Sequence, residues 1–317
     1  MAATEISTAP VITARGLVKT YGPTRAVDGI DIEVLSGEIV GLLGPNGSGK
    51  TTTILILLGL TEADEGEVQV MGFDPLRQPL EVKRRVGYLP DALGFYTGMT
   101  ARDNLAYTGQ LAGVERAELR SRIADAVERV GLSDWIDKKV GTFSRGMIQR
   151  LGLAEVMIKR PAVVILDEPT AALDPYSTDE FLEMIRALKA EGTTVLLSSH
   201  HLDQVQSVCD RVALFNRGRV ALEGTVGELA RRVLGGGYAL EVEADGVPVQ
   251  DLATVPGVVQ ANEIAPGTFH LEAAHDVRGD VAARIVQRKG KLLKIGIAEP
   301  SLHEIYSRYF QGMSHAA

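Results

Sequence analysis

The sequence predicts an α/β domain over residues 10–230, followed by a smaller α+β domain over residues 238–317. Three observations favour this organisation. The apolar runs EIVGLL, VVILD and TTVLLSS are typical of sheet strands covered on both faces. Helical segments follow these runs, and the glycine-rich stretch GPNGSGKT joins the first run to its helix. The pattern changes after Gly224, and GGG at 235–237 predicts the break between the two domains.

The first domain also contains two other kinds of element. ITARGLVKTYG and RAVDGIDIEVLSG are typical of antiparallel strands broken by glycine and proline, and EGEVQVMGFD and RRVGYLP predict two more strands. Residues 92–160 have helical spacing instead. LRSRIADAVERVGL places Leu119, Ile123, Val127 and Val130 three and four residues apart, and GMIQRLGLAEVMIKR predicts a second helix. We therefore expect an antiparallel β subdomain and a helical subdomain beside the central sheet.

The remaining segments complete the two predicted domains. TDEFLEMIRALKA predicts a helix ended by Gly192, and RVALFNRGRVALEG predicts a hairpin that turns at Arg217–Gly218. Farther on, YALEVEA, VPGVVQANEI, GTFHLEA and KLLKIGIA predict strands, whereas VRGDVAARIVQRK and SLHEIYSRYF predict helices. This β-α-β-β-α-β order with a final helix predicts a ferredoxin-like domain.

The composition argues against several classes of protein. A net charge of −8 argues against a general nucleic-acid binder, which shows a basic surface. The strongest apolar run, ILILLGL at 54–60, is far shorter than the about 20 residues that a membrane-spanning helix needs. We therefore expect a chain that does not itself cross a bilayer. The one cysteine, Cys209, excludes an intramolecular disulfide and lies among apolar residues, which predicts a buried structural thiol.

GPNGSGKT satisfies the pattern G-x-x-x-x-G-K-[ST] between a strand and a helix. Its glycines let backbone N–H groups point at phosphate oxygens, and the helix N-terminus adds partial positive charge. Lys50 can reach the β- and γ-phosphates, and the Thr51 hydroxyl can ligate Mg²⁺. The loop leaves open a GTPase, a small-molecule kinase or an ATPase. The predicted nucleotide-binding residues are Gly44, Pro45, Asn46, Gly47, Ser48, Gly49, Lys50, Thr51 and Thr52.

Two later strands end in groups that suit phosphate chemistry. VVILDE places Asp167 at the tip of a buried strand, where a carboxylate can hold the Mg²⁺ shell, and Glu168 where it can polarise an attacking water. TTVLLSSHH ends in His200 and His201, one of which could hydrogen-bond the γ-phosphate. Successive strand residues point in opposite directions, so we expect only one histidine to face the site. No Cys/His cluster supports a metal site at this pair.

The stretch FSRGMIQR, residues 143–150, lies between the phosphate loop and VVILDEP. This order of motifs resembles the nucleotide-binding subunit of ATP-binding cassette (ABC) transporters over residues 10 to about 224. The resemblance implies a P-loop NTPase cassette with a RecA-like core. The family signature is LSGGQ followed, one residue later, by QR. Here Ser144, Gly146, Gln149 and Arg150 are kept, while Phe143, Arg145 and Met147 stand in place of Leu, Gly and Gln.

The resemblance implies a role for each matching residue. Tyr21 would stack on adenine, and Asp167 would belong to the Mg²⁺ shell. Lys50, Glu168 and His200 would act in catalysis, and Asp174 would be the D-loop residue at the dimer interface. Contact with a partner's ATP would be made by Ser144, Arg145, Gly146 and Met147.

One position departs from the family, which usually has glutamine after the strand VGYLP. This chain has Asp91. Aspartate keeps an oxygen for Mg²⁺, but it adds charge, shortens the side chain and loses the amide donor. The predicted metal ligands are therefore Thr51, Asp167 and Asp91.

The resemblance also implies cofactors and partners. In the family two cassettes pack head to tail, and the signature of one covers ATP on the phosphate loop of the other. We therefore expect ATP and Mg²⁺ as cofactors and a second ATP-binding subunit, identical or different. We also expect integral membrane permease subunits docked around residues 92–140 at the cytoplasmic face of the cell membrane, and no nucleic acid.

The second domain ends in EPSLHEIYSRYF and resembles the accessory domain of ABC-2 type subunits, which mostly serve exporters. We expect it to be regulatory or to stabilise a dimer, the alternative being that it only covers apolar surface.

Three alternatives to a transporter ATPase subunit remain. A soluble ABC ATPase acting on ribosomes or DNA is disfavoured by the single cassette, the lack of heptads and the acidic balance. A P-loop kinase or GTPase is disfavoured by the signature with its QR and by the D-loop. A degenerate cassette paired with an active one is disfavoured by the retained Lys50, Glu168 and His200, whereas Asp91 and Arg145 favour it.

Overall fold

The structure is a computed structural model that describes three stretches of the chain, residues 10–234, 238–297 and 301–314. The chain divides between Gly224 and Thr225 into two compact units. The break predicted at 235–237 lies outside the described residues.

Two sheets are built from the described strands of the first unit. In chain order these strands are β1 (Pro10–Tyr21), β2 (Thr24–Leu35), β3 (Ile39–Leu43), β4 (Glu65–Val70), β5 (Val86–Leu89), β6 (Val163–Asp167), β7 (Thr194–Ser199), β8 (Arg211–Asn216) and β9 (Arg219–Gly224).

The central sheet has the strand order β5-β6-β7-β3-β8-β9. Its neighbouring strands are parallel except for β9, which pairs antiparallel with β8. Every residue of β3, β6 and β7 is buried, as the apolar runs predicted. Because these three strands are parallel neighbours, their carboxyl ends lie side by side. Ligands of open α/β sheets bind at such an edge.

The second sheet is antiparallel, with the order β2-β1-β4, which confirms the predicted β subdomain. Its inward-facing residues alternate with exposed ones, as strand geometry requires. Ile12 and Ile30 of this sheet share one hydrophobic core with Leu42 of β3 and Ile54 of the following helix. The phosphate loop is therefore held between two packed layers.

The described helices of the first unit include a bundle that confirms the predicted helical subdomain. These helices are α1 (Lys50–Leu57), α2 (Pro79–Arg85), α3 (Ala101–Leu111), α4 (Arg116–Arg129), α5 (Arg145–Ile158), α6 (Pro175–Ala190) and α7 (Leu202–Val208). The helices α3, α4 and α5 contact one another. In the α4 segment, Leu119, Ile123, Val127 and Val130 are buried as predicted. The sequence did not predict α2 and α7, since seven residues are too few to show a helical period.

Cys209 follows α7, which packs against β3. A Cβ on Gly41 of β3 would lie 2.5 Å from Val205 Cγ1 and 2.9 Å from Cys209 Sγ, so this contact needs a glycine. The residue as a whole is half-buried, and burial of its thiol raises the pKa of Cys209. The thiol is a packing group, in agreement with the sequence-based expectation.

The second unit is a four-stranded antiparallel sheet with helices. Its elements are α8 (Val226–Leu234), β10 (Tyr238–Asp245), α9 (Val249–Ala253), β11 (Val258–Ala265), β12 (Thr268–Ala273), α10 (Arg278–Gln287), β13 (Lys291–Ile297) and α11 (Leu302–Ser314). The order β11-β12-β10-β13 is that of a ferredoxin-like β-α-β-β-α-β domain. Leu240, Phe269 and Ile285 belong to its own core. Residue 230, the predicted end of the first domain, lies inside α8, which is part of this unit.

Candidate active site

The phosphate loop runs from the end of β3 to the start of α1, and it is packed too closely for side chains at two of its glycines. A Cβ on Gly44 would lie 2.4 Å from the Phe215 carbonyl oxygen, and one on Gly49 would lie 2.5 Å from the Ala26 carbonyl oxygen. Both positions therefore require glycine, because real Cβ atoms do not approach backbone oxygens so closely. The neighbouring strands thus fix the curvature of the loop.

Lys50 is the buried cation of the loop, with 5% of its surface exposed. Its Nζ donates hydrogen bonds to the carbonyl oxygens of Gly44 at 2.7 Å and Pro45 at 3.3 Å. The same Nζ lies 3.3 Å from Oε1 of Glu168, at the end of β6. Buried charges need such partners. Lys50 thereby links the phosphate loop to the end of β6.

Asp167 is buried at the last position of β6. Its Oδ1 accepts hydrogen bonds from the Thr51 hydroxyl at 3.2 Å and from the Ser198 hydroxyl at 2.5 Å. The Ser198 oxygen in turn accepts the Glu168 N–H at 2.9 Å. Ser198 thus positions both carboxylate residues, and the sequence analysis gave it no role. The available signal was the pair of serines that ends the predicted buried strand TTVLLSS.

Glu168 has a left-handed backbone, with a φ of 48°. For a residue other than glycine this conformation costs about 1–3 kcal/mol and is concentrated at functional sites. Oε2 of Glu168 lies 2.8 Å from Nδ1 of His200, while Oε1 faces Lys50. The carboxylate therefore lies between a lysine from the start of α1 and a histidine that follows β7.

Of the two adjacent histidines, His200 contacts Glu168, whereas His201 packs its ring on that of His200 at 4.0 Å. Both histidines follow the last residue of β7 and their rings are in contact, so strand alternation does not explain why only His200 reaches Glu168. His200 keeps 38% of its side-chain surface exposed, so it is accessible from the solvent side of the site.

A cleft of about 710 Å³ lies over Lys50, Asp167 and Glu168 of this cluster, whereas His200 is outside its lining. Part of its wall was not predicted and comes from Thr24, Arg25, Ala26 and Arg217. The predicted residues that line it are Asn46, Gly47, Ser48, Gly49, Lys50, Thr51, Thr52, Asp91, Asp167 and Glu168.

Several other predicted residues lie outside the lining of the cleft. Gly44 and Pro45 contribute only carbonyl oxygens, which accept from Lys50. Tyr21 is 48% exposed at the end of β1, and its hydroxyl lies 3.5 Å from that of Thr61. The adenine contact assigned to Tyr21 therefore stays a prediction.

Asp91 and Asp167 both act on the phenol of Tyr88 in β5. Burial, together with the negative charges of Asp167 and Asp91, raises the pKa of Tyr88 to about 12. The aspartate in place of the family's glutamine therefore adds negative charge on the side of the cleft where Asp167 lies.

Two oxygen-bearing side chains in the cleft form a suitable pair of ligands for Mg²⁺. The Thr51 hydroxyl and the Asp167 carboxylate are adjacent, and Mg²⁺ is typically held by one or two carboxylates together with phosphates and water. Among the residues that the structure describes, no three or more His, Cys, Asp or Glu side chains form a group that could hold a metal alone. The site thus suits an ion that arrives with the phosphates of a nucleotide.

The signature stretch forms the start of α5. Ser144 is its N-cap, and its side-chain oxygen accepts the Met147 N–H at 3.2 Å. Ser144 and Arg145 are exposed, and the cleft lining in the described residues does not include 144–147. A helix N-terminus with an exposed cap residue suits an anion, but one that is not bound in the cleft of the same chain.

The start of α5 packs against the start of α6. A Cβ on Gly146 would lie 3.4 Å from Ser177 Oγ. Asp174 is the N-cap of α6 and accepts the Ser177 hydroxyl at 2.6 Å and the Ser177 N–H at 3.0 Å. These hydrogen bonds lower the pKa of Asp174. The signature and D-loop positions are therefore adjacent on one surface.

The fold and the site first define a class. A glycine-rich phosphate loop at a helix N-terminus, with an aspartate and a glutamate at the end of a nearby parallel strand, is the site of a P-loop nucleoside-triphosphate hydrolase.

Comparison with known proteins defines the family. The family described as "ABC transporter" matches residues 27–171. The linearmycin resistance ATP-binding protein LnrL of Bacillus subtilis (strain 168) is 31% identical over 302 residues, which are 93% of this chain and 97% of that protein. The chain belongs to the ABC transporter ATP-binding proteins.

Two further similarities agree with this assignment. The daunorubicin resistance ATP-binding protein DrrA2 of Streptomyces coeruleorubidus is 37% identical over 314 residues, covering 94% of each chain. A solved structure of the ATP-binding subunit of an ABC transporter is 29% identical, with a TM-score of 0.65, and covers 71% of this chain and 94% of its own. The predicted cassette fold, ATP binding and ATPase class are thereby confirmed, and the kinase and GTPase alternatives are excluded.

None of the helices within residues 10–234, 238–297 and 301–314 combines enough length with enough hydropathy to cross a bilayer.

Proposed function

We propose that this chain is the ATP-hydrolysing subunit of an exporter and that it drives a separate membrane-spanning permease from the cytoplasmic face of the membrane. One observation carries the proposal for hydrolysis, namely the contact of Glu168 with both Lys50 and His200 beside the phosphate loop. The direction of transport is supported by the relatives named for linearmycin and daunorubicin resistance. We propose drug-like compounds as the cargo for the same reason.

The proposed chemistry follows from the strand ends. Loop N–H groups and Lys50 hold the triphosphate, so that its γ-phosphate lies near Glu168 and His200. Glu168 accepts a proton from water as the water oxygen attacks the γ-phosphorus. The bond to the β-phosphate oxygen breaks, leaving ADP and phosphate. His200 donates a hydrogen bond to the γ-phosphate. Thr51 and Asp167 would hold Mg²⁺, whose positive charge would offset the negative charge that develops on the phosphates.

The predicted dimer is part of the proposal. Residues 144–147 lie outside the cleft of their own chain and expose the N-terminus of α5. Two cassettes packed head to tail would place this N-terminus against the γ-phosphate held by the other copy. ATP would then hold the two copies together, and hydrolysis would release them. The second cassette is an identical copy or a different ATP-binding subunit.

The roles of the remaining parts are supported by family membership and by the fold. The helical subdomain, with Asp91 near its start, is the proposed contact with the permease. The ferredoxin-like unit is proposed to regulate or stabilise the dimer. The contact of Glu168 with Lys50 and His200 supports an active cassette over the degenerate alternative. Tyr21 is proposed to stack on adenine.

The transporter role can be tested by isolating the chain from native membranes. We expect an integral membrane protein to co-purify, and the reconstituted complex to accumulate daunorubicin in inside-out vesicles only when ATP is present. Lys50→Ala should still co-purify but should not hydrolyse ATP, because the loop loses its buried cation. Recovery of the chain without any membrane protein would contradict the transporter role, and ATP hydrolysis without drug uptake would contradict drug export.

Asp91→Gln is expected to keep or raise ATP hydrolysis. Glutamine retains an oxygen for the metal site and removes a negative charge from the side of the cleft that carries Asp167. Steady-state ATPase rates over a range of Mg²⁺ concentrations provide the measurement. Asp134→Gln, at an exposed position of the helical region, is the matched control. Complete loss of activity in Asp91→Gln alone would show that the carboxylate has a task of its own.

A further inference from the structure

Arg217 lies at the turn between β8 and β9 and lines the cleft. The turn is fastened to the phosphate loop, because the Gly218 N–H donates to the Ser48 carbonyl oxygen at 3.0 Å. It is also fastened to β2, because the Asp28 N–H donates to the Gly218 carbonyl oxygen at 2.8 Å. The backbone of Arg217 is therefore held in place beside the loop that binds phosphate.

The backbone at Arg217 is strained. Arg217 has a φ of 48° and Gly218 a φ of 80°, which is the pattern of a two-residue hairpin turn. Such turns favour asparagine, aspartate or glycine at the first position, because these residues tolerate positive φ. An arginine here has no local conformational advantage. The strained position thus points to a use for its side chain.

Among the cationic side chains that line the cleft, Arg217 is the one without an acidic partner in the described residues. Three cations line it, namely Arg25, Lys50 and Arg217. Arg25 lies 2.7 Å from Asp28, and Lys50 lies 3.3 Å from Glu168. Within the part of the chain that the structure describes, Arg217 has neither an acidic partner nor a side-chain hydrogen bond. An anion in the cleft would therefore find an uncompensated guanidinium on this wall.

The strand order indicates which part of the nucleotide Arg217 faces. β3 lies between β7 and β8, so the turn with Arg217 is on one side of the phosphate loop. Glu168 and His200, which are proposed to act on the γ-phosphate, are at the ends of β6 and β7 on the other side. The end of the triphosphate remote from the γ-phosphate is the α-phosphate.

We propose that Arg217 binds the α-phosphate of the nucleotide through its guanidinium. The proposal rests on the phosphate placement in the proposed function. It extends the nucleotide site to a second wall, formed by the β8–β9 turn. Because the α-phosphate is present before and after hydrolysis, Arg217 is a binding residue for substrate and product alike and takes no part in bond breaking.

Binding of ATP and ADP to the purified chain tests the proposal. We expect Arg217→Ala to raise Kd for both nucleotides by about 10- to 100-fold, the range for loss of a hydrogen bond to a charged group. The hydrolysis rate at saturating ATP should be unchanged, so the defect appears in KM and not in kcat. Arg219→Ala is the matched control, because Arg219 belongs to the same turn but pairs with Asp28 and does not line the cleft. This control should bind normally.

Two further variants separate the side chain from the backbone. Arg217→Gly relieves the positive φ, so thermal stability should be retained or raised while nucleotide affinity falls as in Arg217→Ala. Arg217→Lys keeps the charge and should restore part of the affinity. Normal affinity in both the Ala and Gly variants would overturn the proposal, as would a defect confined to ATP, since only a γ-phosphate contact distinguishes ATP from ADP.

Further outcomes would distinguish a failure of the Arg217 proposal from a failure of the proposed nucleotide site. An equal defect in Arg219→Ala would overturn the proposal, because it would show that the turn matters only as a structure. A changed preference for ATP over GTP in Arg217→Ala would also overturn it, by indicating a base contact. Normal ATP binding in Lys50→Ala would contradict the proposed nucleotide site itself, whereas lost binding there with normal binding in Arg217→Ala would contradict only the role of Arg217.

Discussion

Glu168→Gln is expected to lower ATP hydrolysis by about 10²- to 10⁴-fold, the usual contribution of general-base catalysis, while ATP binding persists. Glutamine has nearly the same shape and can still accept a hydrogen bond from Lys50, but its amide cannot take a proton from water. The phosphate loop and its contacts with Lys50 stay as they are. The variant should therefore bind ATP but should not break the bond to its γ-phosphate.

Two measurements check this expectation. Phosphate release under single-turnover conditions should be slowed to the stated extent, and size-exclusion chromatography with ATP should show a dimer that accumulates because it cannot reopen. Glu191→Gln is a suitable control, because Glu191 is an exposed glutamate that pairs with Arg129 far along the chain from the phosphate loop. Normal turnover in Glu168→Gln would remove Glu168 from its proposed role.

Ser144→Arg is expected to abolish the ATP-bound dimer while the monomer still binds ATP. The substitution removes the N-cap of α5, worth about 1 kcal/mol to the helix, and places a long side chain over exposed backbone N–H groups. Because residues 144–147 are outside the cleft of their own chain, nucleotide binding by the monomer should be unchanged. Dimer closure would lose one of its two anion-binding surfaces.

The dimer can be followed by analytical ultracentrifugation with ATP, in the Glu168→Gln background that prevents reopening. Nucleotide binding by the monomer is measured separately with a fluorescent ATP analogue. Ser121→Arg, a serine-to-arginine change at an exposed position of α4, controls for added charge. A dimer of normal affinity in Ser144→Arg would exclude the signature from the interface, and loss of nucleotide by the monomer would place Ser144 in the site of its own chain.

The sequence predicted the parts of the site that depend on short-range pattern. A phosphate loop requires glycine at fixed positions, and a buried strand that ends in Asp167 and Glu168 is visible in VVILDE. The strand TTVLLSS predicted one histidine at the site, and the resemblance to the family implied that it is His200, which contacts Glu168 in the structure. Asp91 was expected in the cleft and does line it, while its chemical role stays a prediction.

What the sequence did not predict arises from contacts between distant segments. Ser198 supports Asp167 because β7 lies beside β6, and Arg217 reaches the cleft because β8 lies on the other side of β3. Neither serine nor arginine has a local pattern that reveals such a neighbour. The wall formed by Thr24, Arg25 and Ala26 depends in the same way on how the β2 start packs against the loop at Gly49.

The ion pair of Lys50 with Glu168 has a consequence for how the cassette discriminates among anions. The Glu168 carboxylate lies against the same ammonium that a γ-phosphate needs, so it acts as an internal competitor for that cation. An arriving ligand must displace it or share the ammonium with it. Inorganic phosphate is expected to offset this competition less well than a nucleotide, which brings three phosphates and, in our proposal, also contacts Arg217. The carboxylate that we propose for hydrolysis is thus expected also to weaken the binding of small anions to this site.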